Sequence, residues 1–363
     1  MDIGDTAVRG VGVGTGPAGG LNSSDIEKPI MSSSVRTRDG MIERSFDRLV
    51  HYSLYLSPDH DHRAMVEQLE ASLTSLRRYN QSIPVAVIVH GDGGDRLKPL
   101  AHSYRAAVVT RPDYRLQLAE VVPEAAPTLV CYPLLHKFMN FGTLAAINPR
   151  QALYIDCDTL FFDDVEILFD RYRDAAHVVA REEPHTRRSP HGYDPGYIDE
   201  EALEQLTSSL GLAPIAPFNT GVVLLNELPW ARLEPVGRQT VDIGWRFLLG
   251  LVDRLGPDAT NHYGHSTAVA ELGDRLDDLA PGTIGLALPL PSPNHWILDE
   301  ACLWLALGGV PGLGTADFSP ADVLQNGELF AHRVGEVPAV VCHYYSQNTD
   351  RLRAWSNGVP VGP

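Results

Sequence analysis

Ala152-Leu153-Tyr154-Ile155-Asp156-Cys157-Asp158-Thr159-Leu160-Phe161-Phe162 is the stretch on which the reading of this chain turns. Four apolar residues, with Tyr154 and Ile155 favouring extended backbone, make a buried strand that delivers two carboxylates at its carboxyl end. On an extended backbone residues i and i+2 point to the same side, so Asp156 and Asp158 can face one hard cation. Two like charges held that close are costly unless they are neutralised, and Mg²⁺ or Mn²⁺ with phosphate oxygens neutralises them. Acidic pairs also cap helices, and Asp163-Asp164 fits that role for a helix over Val165 to Arg173. Capping does not account for the apolar strand ahead of Asp156.

Upstream, Leu49, Val50, Tyr52, Leu54, Tyr55 and Leu56 form a β-rich run ending at Ser57-Pro58-Asp59. Met65, Leu69, Leu73 and Leu76 follow at helical spacing, and Asn80 stops that helix. Ile83 to Val89 reads as a second strand, Ala106 to Val109 as a third, and Leu134 to Ile147 as a helix before Asn148-Pro149. Strands and helices alternating over short connections predict an α/β chain with a mostly parallel sheet, in which ligands sit at the carboxyl ends of the strands. Downstream, Val178 to Ala180 and Gly221 to Leu225 read as strands, and Val241 to Leu255 and Glu300 to Leu307 as helices. The polar segment from Arg181 to Pro214 has the composition of a lid, a substrate loop or a surface excursion.

Composition narrows the class. The chain has 363 residues, 44% of them hydrophobic and 21% charged, with a net charge of −17. That suits a globular fold with a sizeable core. An acidic surface repels polyphosphate at long range, so nucleic acid and anionic membrane are excluded as expected partners. No run approaches the ~18 apolar residues of a membrane span, and the N-terminus carries no signal-peptide pattern, which together predict a cytoplasmic location. The four cysteines form no CxxC pair and lie in apolar stretches, so they are expected as thiols. Residues 1–45 are rich in Gly, Ser and Asp and are read as a disordered tail; their Gly10 to Gly16 run lacks the strand and helix that a dinucleotide fingerprint needs. The organisation expected is tail 1–45, one domain over 46–355, and a short C-terminal tail over 356–363.

Leu153-Tyr154-Ile155-Asp156-Cys157-Asp158-Thr159-Leu160 resembles the DxD element of GT-A-fold glycosyltransferases, particularly the glycogenin-like and bacterial lipopolysaccharide galactosyltransferase group. Phe218-Asn219-Thr220-Gly221-Val222-Val223-Leu224-Leu225-Asn226 looks like that group's FNxGhhhhN segment. Leu298-Asp299-Glu300-Ala301-Cys302-Leu303 falls where the group carries Asp-Gln before a helix, and Val340-Val341-Cys342-His343 is similar to its late strand ending in a metal-binding histidine. The four blocks stand in family order. The resemblance implies a single GT-A-like, Rossmann-like domain with a mixed, mostly parallel sheet flanked by helices. It implies transfer of a sugar from a nucleoside-diphosphate donor, UDP-linked by family habit, to an acceptor the sequence does not name. Asp156, Asp158 and His343 would hold Mn²⁺ or Mg²⁺, with Asp156-Cys157-Asp158 against the diphosphate. Asn219 would approach the donor sugar or acceptor, Asp299 and Glu300 would face the anomeric centre, and Tyr52, Ser53, Leu54 and Tyr55 would hold base and ribose.

The chain departs from the family pattern at two places. After His343 the usual Gly is Ser346 and the usual Lys is Thr349, and no lysine follows Lys137, which leaves Arg351, Arg353, another arginine or Lys137 itself to meet the leaving phosphate. Lys137 could equally snorkel to the surface from its apolar helix. Glu300 replaces an amide with an acid; it is either a base or nucleophile, or a helix-capping or salt-bridging residue. Two other readings compete. A haloacid-dehalogenase-type phosphatase also begins with an aliphatic strand and DxD, but there the motif comes early in the domain. A degenerate transferase would bind a nucleotide sugar without turning it over. His60 and His62, flanking an Asp before a helix, read as solvated cap residues, His185 and His191 match no zinc spacing, and Trp296, Trp304 and Trp355 are expected as core.

Overall fold

Alternation of apolar side chains fixes both the position and the facing of the first strand. The computed structural model describes residues 46–56, 62–113, 133–182, 208, 211–213, 216, 218–227, 230, 233–240, 298–325, 328 and 336–344. In chain order the elements are β1 (Arg48–Tyr55), α1 (Arg63–Tyr79), β2 (Val85–His90), α2 (Gly94–Ser103), β3 (Ala106–Arg111), a 3₁₀ segment (Pro133–Met139), α3 (Asn140–Ile147), β4 (Gln151–Ile155), β5 (Thr159–Phe161), α4 (Glu166–Arg171), β6 (Val178–Glu182), β7 (Phe218–Asn226), α5 (Leu298–Gly308), β8 (Thr315–Asp317), β9 (Val323–Leu324) and β10 (Val341–His343). Residues 233–240 are also helical.

Seven strands make one sheet in the order β3-β2-β1-β4-β7-β6-β8. The pairs β1/β2, β2/β3, β1/β4 and β6/β8 are parallel, while β7 runs antiparallel to both β4 and β6. The sheet is therefore mixed and mostly parallel, in one domain with flanking helices. A second, three-stranded sheet has the order β5-β10-β9.

On one face Val50, Tyr52 and Leu54 pack against Leu69, Leu73 and Leu76 of α1, the predicted stripe. Asn80 ends α1 as expected, its backbone N–H on the Leu76 carbonyl at 2.8 Å. The buried Arg77 fastens this end: its guanidinium donates to the carbonyls of Tyr104, Asn80, Ile83 and Arg105. The segment expected as one helix from Leu134 to Ile147 is 3₁₀ through Met139 and α-helical only from Asn140, and it stops at Asn148 in the left-handed conformation, φ 52°. Strand β7 is longer than its apolar run because Phe218, Asn219 and Thr220 also join the ladder. The helix expected over 241–255, the tail over 1–45 and the polar loop between 183 and 207 lie outside the described residues. Cys157 and Cys342 are buried thiols.

Two histidines are sealed in the sheet layer. His51, 2% exposed, has neither ring nitrogen hydrogen-bonded and lies against the Tyr154 ring, centroids 5.4 Å apart. His90 donates from Nε2 to Asn140 Oδ1 at 2.7 Å. Burial pushes each imidazole down to about 3 from the ordinary 6.5. The folded chain therefore binds fewer protons than the unfolded chain between those values, so stability is intact above pH 6.5 and is lost as pH falls toward 3. Well below 6.5 each such group costs about 1.4 kcal/mol per pH unit. Urea midpoints taken from pH 7 to pH 4 are expected to fall steeply, with a shallower fall in His51→Phe; an unchanged slope in that variant would show that His51 does not contribute.

Candidate metal centre

Strand register alone brings the three candidate ligands together. Ile155 pairs with Val222, so the start of β7 lies beside the end of β4 and the Asp156 N–H donates to the Gly221 carbonyl at 2.8 Å. Thr159 pairs with His343 across the antiparallel β5/β10 ladder, which sets His343 next to Asp158; the Tyr344 N–H donates to the Asp158 carbonyl at 3.1 Å. Between Ala180 and Arg181 of β6 the facing residue on β7 jumps from Val223 to Asn219. On its β6 side the ladder thus shifts register across Thr220, Gly221 and Val222, a bulge-like irregularity of the kind that re-aims side chains at the rim of a sheet.

His343 Nε2 lies 3.2 Å from Asp158 Oδ1 and 3.7 Å from Asp156 Oδ2. One ligand atom from each of Asp156, Asp158 and His343 can be chosen so that all lie within 4.8 Å of one another. Asp156 Oδ1 accepts a hydrogen bond from the Tyr154 hydroxyl, which leaves Oδ2 on the His343 side. Burial pulls the His343 imidazole down, but the carboxylates of Asp158 and Asp156 overcome it and hold the group above its ordinary value, against the opposing Lys137 ammonium. Burial first, and Asp158 second, raise the Tyr344 phenol and keep it protonated. The Cys157 thiol is likewise raised, by burial and then by Asp156 and Asp158.

The imidazole occupies the space that a side chain at residue 221 would fill. A Cβ on Gly221 would come within 2.2 Å of His343 Nδ1 and Cε1. Beneath the histidine, Asn219 Oδ1 accepts from His343 Nδ1 at 3.0 Å and from the Gly221 N–H at 2.9 Å. The Asn219 amide donates to Glu300 Oε1 at 3.0 Å, and the same oxygen accepts the Thr220 N–H at 3.0 Å. Lys137 Nζ donates to Thr220 Oγ1 at 2.7 Å. Lys137 and Glu300 are each 6% exposed.

These positions sort the residues singled out in the sequence. Asp156, Asp158, His343 and Asn219 form one cluster, with Glu300 and Lys137 bonded into its underside. Lys137 does not snorkel: its head turns inward among Thr220 and the rings of Phe138 and Tyr154. In β1, Tyr52 and Leu54 face the core, the Tyr52 hydroxyl 2.9 Å from Ser72 Oγ. Ser53 is also buried, and Tyr55 sits half-buried at the strand's end, 6.3 Å from the His136 ring. Asp299 lies in the first turn of α5 with its side chain outside the described residues, as are Arg351 and Arg353 altogether. The expected capping pair stands one residue ahead of the N-cap Val165 of α4, where Asp164 Oδ1 accepts the Glu166 N–H at 3.0 Å. Trp304 is core, donating to the Phe218 carbonyl at 3.0 Å. Tyr154 and Thr220 were not singled out by the sequence as site residues. Only the strand alternation that sends Tyr154 to the His51 face, and the register shift, place them here.

The donor set suits a hard or borderline divalent cation: two carboxylates and one imidazole nitrogen whose partner nitrogen is already engaged. No protein-family profile and no curated protein matches the sequence. Solved structures do. Mouse xyloside xylosyltransferase 1 is 14% identical with a TM-score of 0.44, over 84% of this chain and 99% of that one. The galactosyltransferase LgtC, solved with donor and acceptor sugar analogs, is 14% identical with a TM-score of 0.42, over 87% and 97%. The glycosyltransferase GlyE of Streptococcus pneumoniae is 11% identical with a TM-score of 0.41, over 87% and 60%. The likeness to these three structures covers 84–87% of this chain at 11–14% identity.

Proposed function

We propose that the chain is a divalent-metal-dependent glycosyltransferase of the hexosyltransferase kind, acting in the cytoplasm on a UDP-linked sugar donor and a separate acceptor. The observation that carries this reading is the convergence of Asp156, Asp158 and His343 at the carboxyl end of a buried parallel strand. A net charge of −17 leaves the surface unattractive to a diphosphate, so a local source of positive charge is needed where the donor docks. Asp156, Asp158 and His343 would hold Mn²⁺ or Mg²⁺. The bound cation supplies charge that offsets the developing negative charge on the leaving diphosphate.

The chain's own groups do the rest. The Tyr154 hydroxyl orients Asp156, and Asn219 holds the imidazole of His343. Tyr55 at the rim of β1 would meet base and ribose, while Asn219, buried beneath His343 with both ends of its amide engaged, would act through the imidazole and not on the donor sugar. The buried Lys137 would act on the site's underside rather than on the leaving phosphate. In a phosphatase of the haloacid-dehalogenase type the second Asp must serve as a general acid, whereas Asp158 here faces the imidazole at 3.2 Å; this favours the transferase.

Release of nucleoside diphosphate, measured on the full chain against a panel of nucleotide sugars with and without Mn²⁺, tests the reading. The expected result is metal-dependent release of UDP from one UDP-sugar. Phosphate release from simple monoesters without any nucleotide would contradict it, and tight donor binding with no release would make the chain a binding protein.

A further inference from the structure

The ladder beneath the metal centre gives Glu300 a role that its carboxylate alone does not suggest. Glu300 Oε1 accepts from the Asn219 amide and the Thr220 N–H, each at 3.0 Å, and lies 3.4 Å from Thr220 Oγ1. A carboxylate accepts only, so the Asn219 nitrogen must face Glu300 and its oxygen must face the other way. The Gly221 N–H at 2.9 Å demands the same orientation independently. The Asn219 oxygen therefore accepts from His343 Nδ1, and the lone pair of the neutral ring is left on Nε2, the atom that faces Asp158 and Asp156. Metal-binding histidines are commonly fixed in this manner through their second nitrogen. At the other end, Lys137 donates to Thr220 Oγ1, so a buried cation balances the buried acid through one hydroxyl.

Resting on the reading of Asp156, Asp158 and His343 as a metal centre, we propose that Glu300 is a positioning residue, which sets the tautomer and ring orientation of His343 through Asn219, and not the base or nucleophile of the transfer. An amide at residue 300 can keep an oxygen on the same three donors, so Glu300→Gln preserves the ladder. Toward these described partners, what it removes is the charge that balances Lys137. Glu300→Leu removes the acceptor and releases the Asn219 amide.

The test is Mn²⁺ affinity, read by electron paramagnetic resonance on the full chain without nucleotide, in the wild type, Glu300→Gln and Glu300→Leu. The Gln variant is expected within about threefold of wild type, and the Leu variant is expected to weaken by about 10- to 100-fold, the usual cost of losing an outer-shell partner. Turnover in the Gln variant should fall by less than about tenfold. Wild-type affinity in a folded Leu variant would overturn the proposal. So would a loss of turnover by about 10²-fold or more in the Gln variant with Mn²⁺ affinity unchanged, the mark of a proton-transfer group or nucleophile. Should the Leu variant not fold, that second comparison decides. Absence of Mn²⁺ binding in the wild type would instead overturn the metal centre itself, and with it this role.

Discussion

Asp158→Ala is expected to lose metal-dependent nucleotide binding while keeping its fold. Asp158 supplies the carboxylate nearest to His343 Nε2, at 3.2 Å, and its side chain carries no packing load in the apolar core. Its backbone carbonyl, which accepts the Tyr344 N–H, survives the substitution. Removing one of the three proposed metal ligands should weaken Mn²⁺-dependent UDP binding by more than the 10- to 100-fold that outer-shell changes cost. The thermal midpoint should move by no more than a few degrees, as for changes that empty no core volume. Calorimetry showing an unchanged affinity for UDP with Mn²⁺ would remove Asp158 from the site.

A second large effect is expected where no ligand atom is touched. Gly221→Ala places a methyl within 2.2 Å of the His343 ring, and the ring cannot swing aside without breaking its bond to Asn219. Either β7 shifts, taking the Asp156 N–H bond with it, or the imidazole leaves the carboxylates. Overpacking of this kind costs about 1–3 kcal/mol, and displacement of Nε2 should lower Mn²⁺ affinity at least as much as loss of the outer-shell partners does. Urea denaturation and a Mn²⁺ titration read the two effects separately. Wild-type values in both would mean that the ring has room to move and that Gly221 does not shape the site.

Much of this arrangement could be read from the chain. The stripe Leu69, Leu73, Leu76 and the run of strands fixed the α1 face of the sheet, because core periodicity is local. The acidic pair after Ile155 marked the site for the same reason: both carboxylates and the strand that presents them lie within seven residues. What could not be read depends on non-local register. That His343 meets Asp158 follows from β10 pairing with β5 across a long sequence gap, and only the resemblance suggested it. The inward turn of Lys137 depends on Thr220 standing in that register shift, which no periodicity reveals. Tyr52 and Leu54 were assigned to the nucleotide only through the resemblance, and strand alternation turns both of their side chains to the core. The 3₁₀ start of the segment before α3 escaped because its apolar spacing suits either helix.

Calorimetric titration of the full chain with UDP, once in Mn²⁺ and once in EDTA, tests the metal centre most directly. Saturable UDP binding in Mn²⁺ that disappears in EDTA is the predicted result. Equal UDP affinity in both buffers, or no binding in either, would contradict a diphosphate held through a cation at Asp156, Asp158 and His343.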